Sequence, residues 1–433
     1  MKGDSTVRIG LLGCGNVGAA LVQLVADNGD AVAARTGMRL EVTRVAVGDV
    51  TRPRPVDLAP GVLTGDASGV VCDPDIDLVV EVMGGIEPAR TLILTALEAG
   101  KPVVTANKEL LATHGAELFD AAVKSGVDLL FEAAVCGAIP LMRPLRESLA
   151  GDRINRVIGI VNGTTNFILT RMTEGGESFA EGLAEAQALG YAERDPTADV
   201  EGFDAAAKAA IIASVAFGID VRVGDVHREG ITGITTDDIA MAARLGYVVK
   251  LLALADSVAG PGGDQVSVRV HPAMVPVAHP LAAVREAYNA VFVQGEAAGE
   301  LMFYGRGAGG RPTASAVLGD VVDAAANLRQ GTSAGVAGLA AARLRPMDEL
   351  ASQYYLSLDV ADRPGVLEQV AAAFARHEVS IVQVLQTGMG GEARLVLVTH
   401  IARERAMQAT LADLRGLESV DRVGSLLRVV GPE

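Results

Sequence analysis

The chain has 433 residues, half of them hydrophobic, and a formal net charge of −16. That length suits two or three domains with a sizeable core, and an acidic surface without a basic, aromatic-interleaved stripe argues against nucleic acid as a partner. The longest apolar runs are broken by charges or glycines before membrane-spanning length, and Cys14, Cys72 and Cys136 form neither a CxxC pair nor a disulfide framework, which suits a reducing cytoplasm.

In chain order, "MKGDSTVRIGLLGCG" reads as a first strand entering a glycine turn, not as a signal peptide. "NVGAALVQLVADNG" predicts a helix that stops at Gly29. "LEVTRVAVG", "IDLVVEVMGG" and "KPVVTA" predict further strands, with "PARTLILTALEAG" and "KELLATHGAELFDAAVKSG" as helices. Strands alternating with helices predict an α/β, doubly wound parallel sheet, a Rossmann-like domain over 1–138. The character changes over 139–310, where "AAKAAIIASVAFG" and "DDIAMAARLGYVVKLLALA" predict long helices and "AVFVQGEAAGELMFYG" a hairpin. This is an α+β substrate and dimerisation domain. The segment 311–329, with Pro312 at a helix start, is expected to return to the first domain. A linker over 330–353 leads to a βαββαβ, ferredoxin-like module over 354–433.

Gly13, Gly15 and Gly18 have GxGxxG spacing after a strand and at a helix start. The first glycine serves the tight turn, the second the approach of a pyrophosphate, the third helix–strand packing. Asn16 and Val17 lie inside the same turn and bring their amides to the helix N-terminus. At the end of the second strand Asp49 suits a ribose hydroxyl, while Arg52 or Arg54 suits a 2′-phosphate, so NAD and NADP both stay open. "EVMGG", with Gly84, and "TANK", with Thr105 and Lys108, end later strands, where ligands of parallel sheets lie. A lysine at a helix start opposes the helix dipole, which favours a functional Lys108 over a solvated one.

Only six lysines occur: Lys2, Lys101, Lys108, Lys124, Lys208 and Lys250. In "GYAERDPTADVEGFDAAAK", Asp204 and Lys208 are four apart on one helix face, in an otherwise uncharged alanine-rich helix. Burial lowers such a lysine's pKa and the carboxylate raises it, a balance suited to a proton donor. Glu193 and Asp199 precede this helix on a loop, where they suit a substrate ammonium. "NGTTNF" brings Thr164, Thr165 and backbone N–H groups to the end of a strand, as partners for a substrate carboxylate. Cys136 reads as a packed thiol and not a nucleophile, since no histidine stands near it in sequence. The scattered histidines exclude HxH or HxxxH metal spacing.

Together "GLLGCGNVG", "TANK", "FEAAVCGAIP", "NGTTNFIL" and "GYAERDPTADVEGFDAAAK" resemble homoserine dehydrogenases, over nearly the whole chain. "DRPGVL", before the βαββαβ pattern, resembles an ACT domain, an amino-acid-sensing module found in the long bacterial form of that enzyme. The resemblance implies NAD(P)-linked interconversion of L-aspartate 4-semialdehyde and L-homoserine, on the route to threonine, methionine and isoleucine. It implies Lys208 as proton donor, Glu193, Asp199 and Asp204 as substrate-site acids, and Lys108 at cofactor and substrate. Gly190 and Glu193 extend the implied cofactor contacts, and Gly305 in "YGRGAGGRPT" is its contact in a second glycine loop. A sodium ion on Glu132, Val135, Gly137 and Ile139, a homodimer or homotetramer and threonine as effector complete what the resemblance implies. An enzyme cut after about residue 345 is then expected to stay active and lose its threonine response. Aspartate-semialdehyde dehydrogenase, with Cys136 as nucleophile, and a non-catalytic sensor are the rival readings.

Overall fold

The structure is a computed structural model that describes residues 5–260, 263–334, 336, 338–389 and 392–431. Six strands open the chain: β1 (Ser5–Leu12), β2 (Met38–Ala46), β3 (Leu63–Thr64), β4 (Leu78–Glu81), β5 (Val103–Thr105) and β6 (Leu129–Leu130). They form one parallel sheet in the order β3-β2-β1-β4-β5-β6. Strands β4, β5 and β6 are buried on both faces and read as continuous apolar runs, while β2, next to the β3 edge, keeps a mixed, partly exposed pattern. Helix α1 (Asn16–Thr36) packs on one face through Leu21, Leu24 and Val25. Helices α2 (Ala67–Cys72), α3 (Ala89–Glu98) and α4 (Lys108–Ser125) cover the other. The sheet is therefore the doubly wound one that the alternation predicts.

One boundary differs. Helix α1 does not stop at Gly29 but runs to Thr36 and ends at Gly37, whose φ of 68° is left-handed. A glycine inside a helix loses only about 1 kcal/mol against alanine, and the alanines that follow restore the helix.

The second region is built on an antiparallel sheet. Strands β7 (Ile154–Ile160), β8 (Ile219–Asp220), β9 (His227–Arg228), β10 (Tyr247–Val258), β11 (Gln265–Pro276), β12 (Tyr288–Gly295) and β13 (Gly299–Arg306) are interleaved with α5 (Gly163–Gly175), α6 (Phe179–Ala188), α7 (Thr197–Val200), α8 (Phe203–Phe217) and α9 (Thr236–Arg244). The main path is β13-β12-β7-β10-β11. The β12–β13 pair is the expected hairpin. The expected helix over 237–255 is corrected: Gly246, at φ 84°, ends α9, and Tyr247–Val258 is a strand. Both faces of β10 are covered, so its apolar run has no alternation and is indistinguishable by period from a buried helix. Helix α10 (Gly310–Gln330) returns to the first domain and lies beside α1, with Val317, Val321 and Ala324 in the same core.

Beyond it come β14 (Ala340–Ala341), which pairs with β8, then β15 (Ala351–Ala361), α11 (Val366–Arg376), β16 (Ile381–Met389), β17 (Glu392–Thr399), β18 (Ala402–Arg403), α12 (Glu404–Arg415) and β19 (Val420–Val429). Apart from the short β18, this is the predicted βαββαβ order, and β15 begins inside the expected linker. The module is joined to its neighbour, not hung from it. Strand β19 pairs in parallel with β11, Ala273 opposite Arg428, so the two sheets are continuous. Tyr355, Val396, Leu427 and Val429 enter the core that contains helix α8. Cutting after residue 345 would strip this apolar cover, so the severed catalytic part is not simply the enzyme without its response.

Arg428 fixes the seam. Its guanidinium donates to Glu404 at 2.7 and 2.9 Å and to Glu229 at 3.0 Å, and Tyr354 donates its hydroxyl to Glu404 at 2.8 Å. Burial would raise the Glu229 carboxyl, but hydrogen bonds from His227 and Arg428 hold it down, from 4.5 to about 2. Arg428→Met leaves Glu404 a buried charge without its guanidinium, and thermal or denaturant unfolding should show a loss of about 3 kcal/mol. Because the Glu229 pKa is depressed, its contribution is complete above pH 4.5 and fades as pH falls toward 2. The deficit of the mutant should therefore shrink in acid.

Candidate active site

The glycine turn after β1 forms a cradle. Gly13 has φ 99°, and a side chain there would meet the Val82 carbonyl oxygen at 2.8 Å. A side chain at Gly18 would strike the Gly13 carbonyl. At Gly15, the N-cap of α1, a Cβ would meet nothing within 4 Å. The space over Gly15 is therefore not filled by protein. The first turn of α1, with Asn16 and Val17, has no acid and no side-chain cap, so its amides are open to an anion. Gly310 packs against the Asn16 carbonyl, where a Cβ would lie 2.9 Å away. The N-termini of α1 and α10 thus meet, an approach that sequence reasoning missed although the GAGG run marks it. Gly305 lies a few residues upstream, in β13, facing Ile139.

Around this cradle the polar residues are mostly anchored. The Asp49 carboxylate accepts from Thr51 N at 2.8 Å and Oγ1 at 2.6 Å, and these bonds hold it below the usual carboxylate range. Arg54 donates to the Asp49 carbonyl and, at 3.4 Å, to the Cys14 carbonyl, while Arg52 is exposed. The Glu81 carboxylate accepts from Met83 N at 2.8 Å, Gly84 N at 3.1 Å and the Thr105 hydroxyl at 2.6 Å. Thr105 is therefore turned inward, and Glu81 ties the ends of β4 and β5 together. Asn107 caps α4 by accepting from Leu110 N and donates to the Gly85 carbonyl at 2.6 Å. These bonds place Lys108 at the carboxyl edge of the sheet.

There Lys108 crosses to the second domain and pairs with Asp204. Asp204 Oδ2 also accepts from Lys208 Nζ at 2.7 Å and from Asn162 Nδ2 at 2.9 Å. Lys208 Nζ donates to the Val161 carbonyl at 2.7 Å, and Asn289 Nδ2 donates to the same oxygen at 3.0 Å. An ammonium has three donors, so one N–H of Lys208 is without a protein partner among the described residues. Lys208 is enclosed, with 10% of its side chain exposed, while Lys108 is 44% exposed. Burial is the largest single influence and would push the Lys208 ammonium down, but Asp204, foremost among its neighbours, and the groups around it together outweigh burial and the pKa is raised. Burial would likewise raise Asp204, yet Lys208 and Lys108 hold it well below the usual carboxylate range. Burial raises Asp199 despite its 2.7 Å hydrogen bond from Asn162.

The acidic loop divides by task. Asp199 and Asp204 join the lysine cluster through Asn162. Asp195 bonds Thr197 at the start of α7, and Glu201 accepts from Thr232 at 2.9 Å. Glu193 is exposed, three residues beyond Gly190, and its side chain has no hydrogen bond or ion pair to the cluster among the described residues. The "NGTTNF" run opens helix α5 and does not end a strand, with Asn162 as cap. Both threonine hydroxyls turn inward: Thr164 donates to the Tyr191 carbonyl at 2.7 Å and Thr165 donates to Asn162 at 2.9 Å. Asn162 and Asn289 were not singled out from sequence. Asn162 had a signal, an Asn-Gly pair at a helix start, whereas Asn289 acts through a backbone carbonyl that sequence does not mark.

The Glu132 carboxylate accepts from Leu141 N, Met142 N at 2.7 Å and Arg143 N at 2.9 Å. With both its oxygens engaged, a cation at the turn Val135–Ile139 would depend on carbonyl oxygens, as suits a hard monovalent ion. That turn passes through two left-handed residues, Cys136 at φ 56° and Gly137 at φ 55°. Among the described residues no group of three or more His, Cys, Asp or Glu could hold a metal ion. Cys136 is fully buried, and burial pushes its thiol up to about 11. It is no thiolate nucleophile.

A glycine cradle for a dinucleotide, facing a lysine and acid cluster shared by two domains, defines a nicotinamide-dependent oxidoreductase. Residues 13–132 match the model described as the homoserine dehydrogenase NAD binding domain, 140–322 that of homoserine dehydrogenase, and 354–419 the ACT domain. The chain is 52% identical over 441 residues to homoserine dehydrogenase of Mycobacterium tuberculosis, covering 100% of this chain and 99% of that one. It resembles the crystal structure of a homoserine dehydrogenase from Thiobacillus denitrificans with TM-score 0.92 and 40% identity, covering 99% of each chain. A hyperthermophilic archaeal homoserine dehydrogenase mutant solved in complex with NADPH matches with TM-score 0.62 and 28% identity, over 74% of this chain and 98% of its own. The chain belongs to the homoserine dehydrogenase family, in a form that carries an ACT domain.

Asp204→Asn removes the foremost of the charges that offset burial at Lys208. The basic limb of the pH–kcat profile for aldehyde reduction should move to lower pH, and kcat should fall by about 10²-fold or more. An unchanged profile would show that Asp204 does not govern the lysine.

Proposed function

We propose that the enzyme interconverts L-aspartate 4-semialdehyde and L-homoserine in the cytoplasm, on the route to threonine, methionine and isoleucine. The observation that carries this reading is the enclosed Lys208, with one N–H left over after Asp204 and Val161, next to a lysine delivered by the coenzyme domain. NADP or NAD, held by Gly13, Gly15, Asn16, Val17 and Gly18, supplies or accepts the hydride. Lys208 donates a proton to the aldehyde oxygen as negative charge develops there, and takes one back in the reverse direction. Lys108, braced on Asp204, adds positive charge at the same oxygen. Glu193 and Asp199 receive the substrate ammonium. The amides of Gly163 and Thr164, which the Asn162 cap does not take, receive the carboxylate, since the threonine hydroxyls have protein partners.

The ACT domain is the basis for regulation by an amino acid, threonine in this proposal. Its "DRPG" turn puts Gly365 at the start of α11 with φ 88°. A homodimer or homotetramer and a sodium ion on the carbonyls of Glu132, Val135, Gly137 and Ile139 belong to the same reading.

The decisive measurement is the kinetics of Lys208→Ala with homoserine and each coenzyme, beside coenzyme binding by fluorescence. Turnover should fall by about 10³-fold with coenzyme affinity intact. Near wild-type turnover would refute the assignment. The wild type assayed with and without threonine should show inhibition.

A further inference from the structure

Strand β7 stops at Ile160, opposite Ala290 of β12, and the ladder between them goes no further. The next rung of that register would join Val161 to Asn289. A side chain fills it: Asn289 Nδ2 donates to the Val161 carbonyl at 3.0 Å. Lys208 Nζ donates to the same oxygen at 2.7 Å, so both acceptor positions of that carbonyl are taken.

The carboxamide keeps this place against an opposing cost. Asn289 is 1% exposed, and its Oδ1 has no hydrogen-bond partner among the described residues. Turning the amide over would set its oxygen against the Val161 oxygen, and a carbonyl only accepts. A buried acceptor without a donor is unfavourable, yet the N–H stays at Val161. Gly307, in the loop that leads into α10, makes the room. A Cβ there would strike Nδ2, Cγ and Oδ1 of Asn289, and no other atom lies nearer to it. Gly307 is not among the left-handed glycines, so it is the carboxamide, and not the backbone turn, that a side chain at 307 would disturb.

The shared carbonyl decides where Lys208 points. An ammonium held by Asp204 Oδ2 alone can turn about that one bond, and Asp204 lies on the lysine's own helix. The Val161 carbonyl stops the turning, since two fixed N–H directions of a tetrahedral group determine the third. That carbonyl stands one residue beyond the end of its strand, and Asn289 ties it to β12. We propose that Asn289 is a positioning residue for the proton transfer: by fixing the Val161 carbonyl it aims the third N–H of Lys208 at the reacting oxygen, and Gly307 is its seat. The proposal rests on the reading of Lys208 as proton donor.

The test measures steady-state aldehyde reduction by Asn289→Ala and Gly307→Ala, each alone and combined with Lys208→Ala, beside coenzyme binding by fluorescence. Asn289→Ala should lower kcat by about tenfold to 10²-fold, with KM for the aldehyde and coenzyme affinity within about twofold of wild type. Placed on Lys208→Ala, the same change should alter kcat by less than about twofold, because residues that act as a unit are not additive. A residue that merely closed the strand end would lower kcat by the same factor in both backgrounds. Gly307→Ala displaces the carboxamide without removing it and should reproduce both results, which keeps the proposal open to refutation if Asn289→Ala does not fold. Wild-type kcat in both single variants, or a full loss that persists on Lys208→Ala, would overturn the role of Asn289 and leave the lysine's assignment standing. Near wild-type turnover of Lys208→Ala itself would overturn the proton-donor reading, and this proposal with it.

Discussion

One buried carboxylate organises the catalytic region. Asp204 sits between an ammonium from its own helix and one from the coenzyme domain. An enclosed carboxylate with only one of these partners would be a strongly unfavourable charge. The arrangement therefore requires the start of α4 to meet the start of α8, and much of the fold supplies that meeting. Asn107 and Glu81 fix the carboxyl edge of the parallel sheet, while α10 carries the chain back to clamp α1 and that same sheet. The coenzyme cradle and the proposed proton donor are thereby set on two domains joined by a charge that neither could bury alone.

The legible part of this was local. A lysine four residues after an aspartate, in a helix otherwise of alanine and isoleucine, reads directly as an enclosed ion pair, and the glycine spacing reads as a dinucleotide turn. Contacts between distant segments were not legible. Nothing near Lys108 in sequence names Asp204, and the Val161 carbonyl that fixes Lys208 carries no side-chain signature. Asn162 stands inside the "NGTTNF" run, yet its role as a bridge from Asp199 to Asp204 depends on how α5 and α8 pack. The strand Tyr247–Val258 was obscured by burial on both faces, which erases the alternation that distinguishes strand from helix. Gly29 misled for the opposite reason: a glycine marks a helix end only where the backbone turns left-handed, and that occurs at Gly37.

The ACT module shows the same limit at the level of domains. Its βαββαβ order was clear from hydrophobic runs and turn residues. Its fusion to the catalytic sheet rests on a short parallel pairing and on Arg428, whose carboxylate partners come from α12 and from the loop before α9. A linker composition says where a chain passes between folded units and not how closely they dock. For the proposed regulation the docking matters, because a movement of β19 is also a movement of the sheet edge that carries β11 and of the loop fastened to residues 200 and 201.

In the proposed reaction the charge state of Lys208 bears on how the proton moves. From sequence, burial and the carboxylate looked evenly opposed, as for a donor poised near neutrality. In the folded protein the carboxylate and its neighbours prevail and the lysine pKa is raised. A stronger hold on the proton does not prevent its transfer. The substrate oxygen is a weak base as an aldehyde and becomes an alkoxide-like strong base only as hydride arrives. A lysine that stays charged until then stabilises the growing negative charge through its remaining N–H, and transfer follows the chemistry instead of preceding it. Asp204 also prevents an early loss of the proton to solvent by making the neutral lysine the less favourable state. Enclosure, the carboxylate and the open third donor are thus three parts of one device, in which the proton is committed to the oxygen only when the oxygen can keep it.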